Sequence, residues 1–157
     1  MRVALFVVLV SSLVAACSPF GTSADAAMCD VAGSLSAAKT LVEQAAAKDA
    51  NGDKAGAQQL ASDAAALAKR GNDLLQTITS SDVRQGHTWQ ALLDAYLHIG
   101  EADTPLLPPP DNTPRITHEA LATVAEQLRA ASAGLPARCF MATPPPAGSA
   151  PASDASG

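Results

Sequence analysis

Aromatic side chains are nearly missing from this chain: one Trp, one Tyr and three Phe, or 3% of 157 residues. Without aromatic and β-branched residues in quantity, a β-sandwich or barrel has little to build with. Charge is also sparse, at 16% of residues. Ten Lys and Arg lie scattered among fifteen Asp and Glu, for a net charge of −5. A chain without a clustered basic face lacks the electrostatic footprint of a nucleic-acid binder. There is no nucleophile elbow, no phosphate-cradling Gly loop and no paired-His metalloprotease motif, so the chain reads as a non-enzyme. What is plentiful is alanine, with 35 residues. Alanine lifts the apolar fraction to 48% but buries little area per residue, which predicts a thin core. The length suits one domain.

The first residues read as an address. Arg2 supplies a positive start, Val3 to Val10 is unbroken apolar sequence, and Leu13 to Ala16 continues it. That run is short for a membrane span and has the length of a signal-peptide core. It ends in Val14-Ala15-Ala16-Cys17, which resembles the lipobox of bacterial lipoproteins, with Val14 where Leu is commoner. The resemblance covers this signal alone. It implies that residues 1–16 are removed and that the Cys17 thiol carries a diacylglyceryl anchor. The absence of a twin Arg points to the general secretory route. Ser18 in place of Asp hints at outer-membrane sorting in a two-membrane host. Loss of Arg2 leaves nine basic against fifteen acidic residues, or −6, so the body should stand off an anionic surface. The alternative is an ordinary signal cut after Ala24-Asp25-Ala26, giving a soluble protein from Ala27.

Once Cys17 is lipidated, two cysteines remain, Cys29 and Cys139. Outside the cytoplasm such a pair is expected to form a disulfide. It would close a loop of 110 residues, a constraint of about 4–5 kcal/mol in the chain-entropy model. Free thiols for metal or chemistry are the other reading, with no second Cys or His at ligand spacing.

Between them the pattern is helical. Residues 17–26 read as a lipidated tether. Val31, Leu35, Ala38, Val42 and Ala45 then recur at spacings of 4 and 3, one stripe of a helix. Asn51-Gly52-Asp53 is a turn. Ala57, Leu60, Ala64, Leu67, Gly71, Leu74 and Ile78 trace a second face, with Gly71 admitting a close neighbour. Asp82 and Gln85 suggest a capping box for a third helix over Val83–Gly100, whose face is Trp89, Leu92, Leu93, Tyr96 and Ile99. Pro108-Pro109-Pro110 predicts an extended crossover, a linker or a polyproline partner site. Thr113-Pro114 opens a fourth helix on Ile116, Ala120, Leu121, Val124 and Leu128, closed by Gly134 and Pro136. Residues 142–157 hold only small residues, prolines and one charge, and read as a disordered tail. The expected fold is all-α: a small up-and-down four-helix bundle over residues 27–141, closed by one disulfide.

Candidate sites are few. Asp49, Asn51 and Asp53 resemble the opening of an EF-hand calcium loop, but Lys54 and Leu60 stand where its Gly and closing Glu belong. Asp94, His98 and Glu101 share one helix face and are the weak metal candidates; a solvated face is the plainer reading. His87 would lie about 16 Å from His98 along the axis, too far to share an ion. Trp89 and Tyr96 are the weak ligand-binding candidates. A Cys at each end of a small exported helical domain resembles mycobacterial haemophore-like proteins, which would give Tyr96, His98 or Met141 as axial ligands. No haem-attachment motif accompanies them, and no cofactor is expected. The leading expectation is a lipid-anchored envelope protein acting as an interaction or accessory module for a protein partner. A small-ligand binder carrying haem, metal or an apolar molecule is the alternative, and a structural spacer the third.

Overall fold

A computed structural model describes residues 23–107 and 114–141. The lipobox with Cys17, the residues before 23, the prolines 108–110, Thr113 and residues 142–157 lie outside these. Among the described residues there are five α-helices and no strands: α1 Ser23–Ala50, α2 Lys54–Gln76, α3 Ser81–Gln85, α4 His87–Asp103 and α5 Pro114–Ala131. Two short 3-10 turns follow α4 and α5, at Thr104–Leu106 and Ala137–Phe140.

The first helix starts at Ser23, inside the stretch expected to be tether. The physical reason is local: Ala24, Ala26 and Ala27 favour helix, and Asp25 in the first turn opposes the positive end of the dipole. Val31, Leu35, Ala38, Val42 and Ala45 are all fully buried, as the spacing predicts. The helix stops at a turn in which Gly52 takes φ 83°, a conformation costly for other residues. Asp53 then caps α2, accepting a hydrogen bond from the Gly56 amide at 2.9 Å.

The face of α2 differs from expectation by one position. Ala57, Ala61, Ala64, Ala68, Gly71 and Leu75 are buried, while Leu60, Leu67 and Leu74 flank the core half-buried. Small residues face α1 because they let the two axes approach. At Gly71 an added Cβ would sit 3.3 Å from the Leu35 side chain.

The expected third helix is two. Ser80, not Asp82, is the N-cap of α3, and it makes no side-chain cap bond, so the expected capping box is absent. Gly86 is extended, with φ −68° and ψ 144°, and divides α3 from α4. Helical Gly is costly by about 1 kcal/mol, and α3 has no buried residue to offset the break by staying in line. Gln90 clasps the corner, its side-chain amide donating to the Arg84 carbonyl at 2.8 Å.

In α4 the buried set is Trp89, Ala91, Leu92, Ala95, Ile99, Ala102 and Asp103. Here too the core side falls on alanines, leaving Leu93 and Tyr96 at its edge. On α5, which begins at Pro114 as expected, Ala120, Leu121, Val124, Leu128 and Ala131 are buried. The extensive contacts run α1 along α2 and α4 along α5, with α1 and α2 also meeting α4. Cys29 on α1 and Cys139 in the last 3-10 turn form a disulfide, with Cα atoms 4.7 Å apart.

Candidate functional site

Trp89 is 5% exposed and belongs to the core. Its indole N–H donates to the Leu75 carbonyl at 3.4 Å, and the Arg84 guanidinium lies over its ring, 5.2 Å from the centroid. Cation–π contact of this kind adds modestly to the hold on α3. Tyr96 packs half-buried against the core edge. Both candidate ligand-binding residues are therefore packing residues here.

Of the acidic-histidine face on α4, only part is assembled. His98 Nδ1 is 2.7 Å from Glu101 Oε2, a bond within one turn of an exposed surface. Asp94 is not part of that bond, and among the described residues no group of three His, Cys, Asp or Glu side chains could hold a metal ion. Met141 is 71% exposed, and His98 is engaged with Glu101. The turn with EF-hand resemblance is occupied by its own lysines. Lys48 Nζ lies 2.6 Å from Asp53, and Lys54 Nζ lies 2.6 Å from Asp49. Lys48 and the Gly56 amide hold the Asp53 carboxyl below its ordinary pKa. Two of the three candidate calcium oxygens are thus spent on ammonium groups.

The open concave surface lies elsewhere, between α1 and α5. One depression of about 460 Å³ is lined by Ser36, Lys39, Thr40, Leu128, Arg129 and Phe140, among others. A second of about 500 Å³ is lined by Glu43, Ala46, Ala47, His118, Leu121 and Ala122. They share Lys39 and Ala125, so they form one groove along the two helices. Its floor is largely small and apolar. Its rim carries both signs, and Lys39 bonds Glu43 there at 2.6 Å. Apart from Leu121 and Leu128, read as core positions, none of these residues stood out in the sequence. The signal was the second alanine stripe on each helix, at Ala46 and Ala47 and at Ala122 and Ala125, outside the core face. A smaller dent of about 280 Å³ lies at the disulfide, beside Asp25, Asp30 and Arg138.

Two buried polar groups also escaped the sequence reading. Asp103, at the end of α4, is 2% exposed, and its Oδ1 has no hydrogen-bond partner. Burial alone pushes its pKa up, to about 7. Thr117, in the first turns of α5, is 1% exposed and its hydroxyl is also unpartnered. The sequence signal was periodicity: Asp103 stands four residues after Ile99, on the continuation of the buried stripe.

Among the described residues no helix is long and apolar enough to cross a membrane. Compared with family models, curated proteins and solved structures, the chain matches none.

Proposed function

We propose that this is a lipid-anchored bacterial envelope protein of non-catalytic type, whose helical domain offers the α1–α5 groove to a protein partner. The anchor rests on Val14-Ala15-Ala16-Cys17 and would tether the domain outside the cytoplasm through Cys17, at the cell membrane or the outer membrane. Lipidation raises local concentration, which suits a module of modest affinity. The long helices are read as an up-and-down four-helix bundle with α3 as an added corner. Three contacts support that reading: Trp89 meets the Leu75 carbonyl, a Cβ on Gly134 would meet Thr88, and Cys139 meets Cys29. Each joins the end of one long helix, or the segment just after it, to the first turns of another.

The observation that carries the functional reading is the contrast between groove and core. The Trp and Tyr that could line a ligand cavity are packed among other side chains, while the concave surface is open, shallow and floored by alanine. Such a surface admits a close-lying helix or strand of a partner better than it encloses a small molecule. The test is a photo-crosslinker placed at Ala125, in the shared centre of the groove, on the protein in its own host's membranes. Capture of one defined envelope protein, lost when the crosslinker is moved to Leu97 on α4, supports the reading. Native intact mass of the same extract reports the anchor and any ligand. A chain starting at Cys17 with lipid and no added mass agrees; a reproducible porphyrin, metal or small-molecule mass overturns the partner reading in favour of a carrier.

A further inference from the structure

A carboxyl buried in an alanine core needs a partner or a reason. Asp103 has neither a hydrogen-bond partner on its buried oxygen nor a salt bridge among the described residues. It is the last residue of α4, and the next three residues form a 3-10 turn that touches α1, α2 and α5. Pro105 and Leu106 of that turn are buried, and the Leu107 amide closes it by donating to the Thr104 carbonyl at 3.2 Å. The turn is therefore held by apolar seating and a few backbone bonds, with an ionisable group at its root.

We infer that Asp103 is a proton-dependent latch: its neutral carboxyl seats the junction between α4 and the following turn, and its ionised carboxylate releases it. The physical basis is the cost of an unpaired buried charge, which works against the seating of one short turn. Among the described residues no charged group on the surrounding elements pairs with it. On α1 and α2, Lys48 is committed to Asp53 and Lys54 to Asp49. On α4, His98 bonds Glu101; on α5, His118 and Glu119 are exposed; the 3-10 turn itself carries no charge. Desolvation is the sole cause that raises the Asp103 pKa, to about 7, which puts the release near neutral pH. Opening would free Pro105 and Leu106 from the core and loosen the contact of this turn with α5, one wall of the groove.

Hydrogen exchange on the full disulfide-bonded chain tests this, corrected for intrinsic pH dependence. Between about pH 4 and 7 the amides of residues 104–107 should lose protection about tenfold per pH unit and level off above 7, because over that range the open junction has given up a proton that the closed one still holds. Amides in the middle of α1 and α2 should keep theirs. In Asp103→Asn the local dependence should vanish. The carbon-13 shift of the Asp103 carboxyl, followed in the unmutated protein, should titrate near pH 7, where the exchange levels off. Protection independent of pH, equal loss over the whole chain, an unchanged dependence in Asp103→Asn, or a carboxyl titrating in the ordinary range would each overturn the latch.

Discussion

The two ends of this domain are closed by different physics. At one end Cys29 and Cys139 are bonded, and the start of α4 is fixed nearby by the buried Trp89. At the other end the α1–α2 turn is held by exposed lysine–carboxylate pairs, and α4 ends on a buried acid whose Oδ1 has no partner among the described residues. The first end is restrained covalently and through a large side chain. The second relies on small contributions and carries a group that opposes folding once ionised. In a chain with so few large residues, the covalent end supplies what the core cannot, and the other end is where the molecule is free to respond.

Removing the bond is the strongest test of that asymmetry. Cys29→Ser with Cys139→Ser should lower the unfolding free energy by about 4–5 kcal/mol in the chain-entropy model, read by denaturant titration. A loss under about 1 kcal/mol would mean that packing alone closes that end. The next effect belongs to the opposite end. The Asp103 pKa is raised on folding, so the folded state holds its proton longer than the unfolded chain does. Its neutral form imposes no such penalty below the unfolded value of 3.8; stability then falls as pH rises from there to about 7 and levels off above. The slope is about 1.4 kcal/mol per pH unit, capped by the cost of opening the turn. Asp103→Asn removes this slope, so the difference between variant and parent should grow between pH 4 and 7. A difference independent of pH would show that Asp103 is already solvated.

How much of this was legible in the sequence depends on side-chain size. The α1 stripe of Val31, Leu35, Ala38, Val42 and Ala45 is buried in full because size and periodicity agree there. On α2 and α4 they compete. Reading for large residues favours Leu60, Leu67 and Leu74, whereas close helix packing selects Ala61, Ala68 and Leu75 and leaves the leucines to flank. The disulfide pairing was legible because reading Cys17 as the lipidated residue left only two cysteines to pair. The break at Gly86 was not, since one Gly within a helical pattern is commonly tolerated. Asp103 was hidden by its type: charged residues are rarely buried without partners, so the stripe was read as ending at Ile99. The groove was hidden for a related reason, because alanines outside the core face look like ordinary helix filler.

The weaker end can be dissected further. Gly52→Ala must adopt φ 83°, so it should cost about 1 kcal/mol, seen as a lower melting temperature. Asp53→Ala removes the cap on the Gly56 amide and the partner of Lys48, and should lower the melting temperature too. Because folding lowers the Asp53 pKa, its contribution is present above 3.8 and fades as pH falls through the folded value. That is opposite in sign to Asp103, so one end of the molecule carries two carboxyls with opposed pH responses.

The smallest expected effect is the most specific to the comparison. Lys54 bonds Asp49 across the turn, with the lysine more than half exposed. Exposed pairs of this kind are screened and worth about 0.5 kcal/mol or less. Lys54→Ala should therefore change stability by no more than that, and the change should disappear in 1 M salt. A larger, salt-resistant loss would mean that the turn is held by its ion pairs as firmly as the far end is held by its disulfide. The functional consequence would follow directly: with the turn rigid, Asp103 would be left as the one element at that end able to move the α5 wall of the groove.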